Sequence, residues 1–194
     1  MRTQKEKLII HNHNNDGVDR RGFLKCMAWA GTGALCVISG GVLKSYSLSD
    51  AAALAGAPAG ELAFAQISDS HMGFNKAANP DVVATLQAAI AKINAAPVEP
   101  AILLHTGDIS HLSKPTEFDT VDQVLKGAKA KQVFFVPGEH DVLEDNGQQY
   151  LERYGKTAKG GGWYSFDHRG VHFIGLVNML NLKPVDSAPW GRNN

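Results

Sequence analysis

Residues 133–141, with the sequence VFFVPGEHD, determine the fold that we predict for this chain. They begin with a short run of β-branched and aromatic residues, which is typical of a strand buried on both faces of a parallel sheet, and a Pro-Gly pair ends the run. Glu139, His140 and Asp141 come next. The tip of the predicted strand therefore carries acidic and imidazole side chains.

Two earlier apolar runs end in the same way. Residues 62–67 (LAFAQI) lead into Asp69 and His71, and residues 101–104 (AILL) lead through the sequence HTG into Asp108. Because ligands of open α/β sheets bind outside the carboxyl ends of the strands, we expect the three strand tips to meet in one crevice. Carboxylate and imidazole groups together are suited to divalent cations.

The segments between these strands have helical periodicity. Residues 79–94 start with Asn-Pro-Asp, a helix-start signal, and both they and residues 116–128 carry apolar residues at helical spacing. The order β-α-β-α-β implies parallel strands with right-handed crossovers and helices on the faces of the sheet. Further on, residues 148–154 make at most a short helix, and residues 163–167 and 171–176 are predicted to be two strands joined by a tight turn.

Composition and charge narrow the function classes. The chain has 194 residues, of which 44% are hydrophobic and 20% charged, as expected of one globular domain. Its formal net charge is +0, so no basic surface indicates binding to nucleic acid. Both cysteines, Cys26 and Cys36, lie in the N-terminal segment, so neither a disulfide nor thiol catalysis is expected in the rest of the chain.

The N-terminus has the order of an export signal. Residues 19–25 (DRRGFLK) precede an uncharged stretch rich in Gly and Ala, residues 26–43, and small residues follow at 51–59. This is the order of a charged region, an apolar region and a cleavage region. It resembles a twin-arginine signal peptide, whose arginine pair is present, although Asp19 stands where that motif usually has Ser or Thr.

We therefore expect residues 1–59 to be a signal peptide with its cleavage region, cut after Ala55 or Ala59. The resemblance implies passage through the twin-arginine translocation machinery, contact with the membrane only through the signal, and a periplasmic or secreted location. Two alternatives stay open for residues 26–43, namely a retained membrane anchor and a buried core helix.

Three blocks of the remaining sequence resemble a known enzyme family. Asp69-x-His71, Gly107-Asp108 and residues 138–141 (GEHD) are similar to the first three blocks of the calcineurin-like metallophosphoesterases, which read DxH, GD and GNH followed by an acid. The order and the spacing of the blocks also agree. The resemblance implies an α/β fold, a metallophosphoesterase-like β-α-β-α-β layered sandwich, and hydrolysis of phosphate esters as the activity.

The same resemblance implies a set of metal ligands. Asp69 and His71 would hold one metal ion, Asp108 would bridge two, and Glu139 would bind the second. The cofactors would be two divalent ions, with Mn, Fe or Zn expected, about 3.5 to 4 Å apart, which activate a water molecule and bind the oxygens of a phosphate-ester substrate. Glu139 replaces the family's Asn, which keeps an oxygen ligand and adds a negative charge.

Catalytic roles follow from the resemblance as well. His140 would lie near the leaving-group oxygen as an acid or electrostatic stabiliser, and Asp141 would orient it. Four other histidines lie close to the predicted strands. We expect His105 to belong to a strand end, and His168 and His172 to be a turn residue and a strand-face residue, whereas His111 is either a loop residue or a substrate contact.

One departure from the family pattern concerns the later blocks. The family has a further His and then a GHxH block on later strands, but no histidine follows His172 here. We therefore expect residues 60–180 to be the N-terminal part of such a domain, residues 181–194 to be an irregular tail, and the sheet to be incomplete at the C-terminus. A truncated copy of this kind would have impaired activity. A non-catalytic domain that binds metal or a phosphorylated ligand, and a purely structural α/β domain, are the alternatives.

Overall fold

A computed structural model of the chain describes residues 33–48, 62–159 and 162–178. The described residues form a five-stranded sheet with strand order β2-β1-β3-β4-β5 and a separate two-stranded sheet of β6 and β7. The strands are β1 (Ala34–Ser39), β2 (Val42–Ser47), β3 (Leu62–Ile67), β4 (Ile102–His105), β5 (Gln132–Phe135), β6 (Tyr164–His168) and β7 (Val171–Gly175). The helices are α1 (Val82–Asn94), α2 (Pro115–Leu125) and α3 (Gln148–Tyr154), and short 3-10 turns cover Glu139–Val142 and Gly155–Thr157.

The predicted α/β fold is confirmed. Strands β3, β4 and β5 are parallel neighbours, with α1 and α2 in the two connections between them. Their register places Ile67, His105 and Phe135 in one row across the sheet. Since these are the last residues of the three strands, the loops that carry the predicted site all start at the same edge.

Both helices cover the sheet with an apolar face. Asp81 caps helix α1, since its carboxylate accepts a hydrogen bond of 2.9 Å from the backbone N–H of Ala84, and Pro80 precedes this cap. Helix α2 has Pro115 at its start, where a missing N–H has no cost. The buried side chains of the two helices belong to one core with the sheet: Val82, Leu86, Ile90, Ile93, Phe118, Val121 and Leu125.

Strand β5 is less buried than its sequence predicts. Its three apolar residues are only half-buried, because β5 is the last strand in the order of the described sheet. Aromatic rings from the hairpin and from α3 pack on its two faces. The ring of Phe134 stacks on Phe166 of β6 at a centroid distance of 3.8 Å, and Phe135 stacks on Tyr154 of α3 at 3.8 Å.

The β6–β7 hairpin confirms the predicted strand pair and its turn. The two strands pair antiparallel, and Arg169 and Gly170 at the turn both have positive φ, 49° and 79°. Two such residues are typical of a two-residue hairpin turn whose twist matches that of the strands.

Residues 34–47 form strands within the segment that we predict to be a signal. Strand β1 pairs antiparallel with β2 on one side and with β3 on the other, and Leu35 and Val37 lie in the core. The alternative of a core helix is therefore wrong for these residues. Arg20, Arg21 and the predicted cleavage positions lie outside the described residues, as do residues 181–194, so the signal and the tail stay predictions. Within the described ranges, none of the helices is long and apolar enough to cross a membrane.

Candidate metal centre

The loops after β3 and β4 hold three predicted ligands in unusual backbone conformations. Asp69, His71 and Asp108 all have positive φ, at 57°, 40° and 49°. Residues other than glycine rarely adopt such values, and each costs about 1 to 3 kcal/mol and persists only where the surroundings impose it. Here the two loops run side by side: the N–H of Asp69 donates to the carbonyl of Gly107, and the N–H of His71 donates to that of Asp108, both at 2.9 Å.

The loop after β5 interlocks with the Gly107-Asp108 block. The backbone N–H of His140 donates a hydrogen bond of 3.0 Å to Asp108 Oδ1. A Cβ atom at Gly138 would overlap the backbone nitrogen and the carboxylate of Asp108, so only glycine fits there. The local sequence Gly-Asp and Gly-Glu-His-Asp therefore folds as one unit that fixes the direction of the Asp108 side chain.

Asp69, His71 and Asp108 form the first group of converging ligand atoms. One ligand atom from each lies within 4.8 Å of the other two. His71 Nε2 is 3.8 Å from Asp69 Oδ1 and 3.6 Å from Asp108 Oδ2, which is too long for hydrogen bonds. An ion bound at about 2.0 to 2.2 Å from each atom holds its ligands slightly more than about 3 Å apart, so small side-chain adjustments would accommodate it. The donor set thus fits a divalent cation.

The electrostatics of this group favour a bound cation. Burial, and after it the neighbouring His140, lower the pKa of His71 to about 4 against the opposite effect of Asp69, so the imidazole is neutral and keeps a lone pair for a metal. Burial raises the pKa of Asp108 to about 6, although the backbone N–H of His140 acts in the opposite direction. A positive ion next to the Asp108 carboxylate would stabilise its ionised form.

A second group consists of His71, His111 and His140. One ring nitrogen from each lies within 4.8 Å of the other two. The rings of His71 and His140 are 4.6 Å apart edge to face, and those of His111 and His140 stack at 5.1 Å. His140 Nδ1 is 2.7 Å from the backbone carbonyl of His111, and since a carbonyl only accepts, Nδ1 carries the hydrogen. The lone pair of neutral His140 is therefore on Nε2.

Comparison with known families agrees with this geometry. The sequence model of the calcineurin-like phosphoesterases matches residues 62–187 of the chain. The chain belongs to the calcineurin-like phosphoesterase family. No curated protein matches it significantly. Family membership makes the protein a metallophosphoesterase by class, in keeping with the two groups of metal-ligand side chains, and phosphate esters are the corresponding substrates.

The structure does not bring all the predicted site residues together. Glu139 is exposed, and among the described residues it belongs to neither group of converging ligand atoms. Asp141 is fully buried, and its carboxylate accepts hydrogen bonds of 2.8 to 3.1 Å from the N–H groups of Ile109, Ser110 and Gly138. Those contacts tie the loop after β5 to the loop after β4. The carbonyl of His111 orients the side chain of His140, a role that the family resemblance implied for Asp141.

His111 is the residue whose part in the site the sequence left open. Its backbone N–H donates to the carbonyl of Met72 at 2.9 Å and to the carboxylate of Glu117 at 3.1 Å. Glu117 is itself buried and accepts further bonds from the N–H groups of Leu112 and Lys114. The only sequence signal was the position of His111, three residues after Asp108 on the same loop.

The other histidines lie where the sequence predicts. His105 ends β4, is fully buried, and its Nε2 is 2.9 Å from the hydroxyl of Ser70. That hydroxyl donates to the carbonyl of Ile109, so it accepts from His105. His168 ends β6 beside the turn, and His172 lies on β7 next to Asp167. These side chains serve the fold and leave His71, His111 and His140 as the imidazoles of the site.

Proposed function

We propose that this chain is an exported metal-dependent phosphoesterase, which hydrolyses phosphate-ester bonds at its candidate metal centre. The observation that carries the proposal is the convergence of Asp69, His71 and Asp108 at one edge of the parallel sheet. The neutral state of His71 and the raised pKa of Asp108 support a site for divalent ions. Export rests on the signal-like order of residues 1–59.

Asp69, His71 and Asp108 are the residues that would hold metal ions, and Glu139 is proposed as a further ligand from the family pattern. When bound, such ions supply positive charge to phosphoryl oxygens and lower the pKa of a coordinated water. The protein itself keeps the ligand atoms in place, because the hydrogen bonds between the loops fix the backbone of all three residues. Mn, Fe and Zn are the ions to test first.

His140 is the proposed acid or electrostatic stabiliser. The His111 carbonyl holds its Nδ1–H, so the ring is oriented and Nε2 is the atom that can exchange a proton. A protonated Nε2 would donate to a leaving-group oxygen, and the neutral ring would be restored as that proton leaves. Asp141 acts one step further away, by keeping the loop of His140 attached to the loop of Asp108.

The test is metal-dependent turnover in the purified chain. We expect slow hydrolysis of p-nitrophenyl phosphate or its bis ester with Mn²⁺, Fe²⁺ or Zn²⁺, and loss of that hydrolysis in Asp69→Asn. Turnover that persists in EDTA, or that is equal in Asp69→Asn, would contradict the proposal. Metal binding without any turnover would favour the alternative of a non-catalytic binding domain, and rapid turnover would overturn the expected impairment alone.

A further inference from the structure

The second ligand group points to a metal preference that the carboxylate group does not have. We propose that His71, His111 and His140 form a three-imidazole site for a borderline divalent cation, of which Zn²⁺, Ni²⁺, Co²⁺ and Cu²⁺ are examples. The site shares His71 with the carboxylate group and His140 with the proposed acid, so an ion bound by all three imidazoles would occupy the Nε2 of His140 and prevent its action as an acid. Binding at this site is therefore tested apart from turnover. The ligand that distinguishes it is His111.

The rings of His140 and His111 are oriented as metal ligands require. His140 donates its Nδ1–H to a backbone carbonyl, which is the arrangement that metal-binding histidines commonly use to direct the other nitrogen at the ion. His111 is fixed at its own backbone by Met72 and Glu117. Its ring is packed between the ring of His140, at 5.1 Å, and the edge of Phe74, at 5.3 Å. Both imidazoles are therefore held in place before any ion binds.

Two buried ring nitrogens of the group have no hydrogen-bond partner among the described residues. His71 is 4% exposed, and its Nδ1 is buried with no hydrogen-bond partner among the described residues. His111 Nδ1 is buried and unpartnered in the same way. A buried polar atom without a partner is costly, so two of them in one contact cluster call for an explanation. A cation bound at these Nδ1 atoms would take the place of the missing hydrogen bonds.

Imidazole nitrogens and carboxylate oxygens prefer different metal ions. Three imidazoles suit Zn²⁺, Co²⁺, Ni²⁺ and Cu²⁺, whereas Mg²⁺ and Mn²⁺ prefer carboxylate and water oxygens. Carboxylate and imidazole groups side by side would thus select different ions.

The decisive experiment counts the nitrogens bound to Cu²⁺ in the full, tag-free chain. His11 and His13 are first replaced by Ser, to remove the other closely spaced histidine pair, and Asp108→Asn is added to weaken the carboxylate group. Asn keeps an oxygen that accepts the N–H of His140, so the three imidazoles stay in place. We expect one Cu²⁺ per chain with three nitrogen ligands by electron paramagnetic resonance, and Co²⁺ that competes for the same site.

His111 variants in this background test the assignment. His111→Ala should leave two nitrogens on Cu²⁺ and weaken binding of Cu²⁺ and Co²⁺ by about tenfold or more, because even the loss of a residue that only supports a ligand typically has that effect. His111→Phe keeps the packing against His140 and Phe74 and should give the same loss. His172→Ala is the matched control: it removes an exposed imidazole on the β6–β7 hairpin and should change neither readout.

Several results would overturn the site. Three nitrogens and unchanged affinity in His111→Phe would exclude His111 as a ligand, and an equal loss in His172→Ala would indicate binding elsewhere. If His111→Ala melts at a lower temperature, His111→Phe decides between lost packing and a lost ligand. Turnover that is equal in Asp69→Asn and the wild type would contradict the phosphoesterase proposal and leave the Cu²⁺ result intact, so the two failures are distinguishable.

Discussion

Replacing Asp108 by Asn should stabilise the metal-free protein while it weakens metal binding. The side chain of Asp108 is only 16% exposed, and burial is the main reason why its pKa rises to about 6. Asn has almost the same shape, and its oxygen can still accept the N–H of His140. The substitution therefore removes a poorly solvated charge and keeps the hydrogen bond.

The magnitude follows from the pKa. A shift from 3.8 to about 6 corresponds to roughly 3 kcal/mol, at about 1.4 kcal/mol per unit, by which the fold is destabilised once the carboxylate is ionised. A raised carboxyl pKa stabilises the fold fully below the unfolded value, and this contribution is lost as pH rises through the folded value. The advantage of Asp108→Asn should therefore be near zero at pH 4 and reach about 2 to 3 kcal/mol at pH 8.

Urea unfolding in EDTA at pH 4, 6 and 8 measures this difference. Asp167→Asn, on the exposed β6–β7 hairpin, is the control and should stay within about 0.5 kcal/mol of the wild type at each pH. Saturating Mn²⁺ should reverse the order at pH 8, because an ion that binds only the folded wild type adds its binding free energy to stability. An Asp108→Asn protein that is no more stable than the wild type at pH 8 in EDTA would refute the reasoning.

Three further changes test the loops, the export signal and the N-terminal strands. Asp141→Ala should lower the free energy of unfolding, measured in urea, by roughly 3 kcal/mol or more, because it leaves buried N–H groups of two loops without an acceptor. Asp141→Asn keeps an acceptor oxygen and should lose less. Replacing Arg20 and Arg21 by Lys should stop accumulation of a reporter fusion in the periplasm, and unchanged accumulation would reject the twin-arginine assignment. Deletion of residues 1–59 gives the chain that signal cleavage would leave and removes β1 and β2, so we expect a monodisperse protein in light scattering, as an exported enzyme requires. Aggregation through the exposed edge of β3 would contradict cleavage at these positions and favour β1 and β2 as parts of the mature fold.

The sequence predicted the part of the site that depends on sheet geometry. Asp69, His71 and Asp108 could be placed together because each follows an apolar run, and parallel strands bring their carboxyl ends to one edge. The position of His111 depends instead on the hydrogen bonds that its backbone N–H donates to the carbonyl of Met72 and to the buried carboxylate of Glu117, which lie elsewhere in the chain. No local pattern in the sequence encodes those contacts.

Helices and hairpin strands were predictable for a similar reason. Helical periodicity and the cap at Asp81 are local signals, and so is the turn at Arg169 and Gly170. Burial of β5 was overestimated, because an apolar sequence does not reveal whether a strand lies inside or at the end of a sheet. Residues 34–47 show the opposite difficulty: an uncharged, modestly apolar stretch satisfies the description of a signal, and the same stretch satisfies the requirements of strands that pair with β3.

The candidate centre is the point of this fold where local preferences are most clearly violated. Three site residues on two loops adopt positive φ, a neutral His71 is buried, and Asp108 is ionised at neutral pH in a poorly solvated position. Such a concentration of unfavourable conformations and buried titratable groups is typical of a functional site. The hydrogen bonds between the loops hold these backbone conformations in place, but the N–H of His140 compensates only in part for the poorly solvated charge on Asp108. A bound cation would compensate for that charge. Removal of the charge should therefore raise the stability of the metal-free protein and weaken its metal binding.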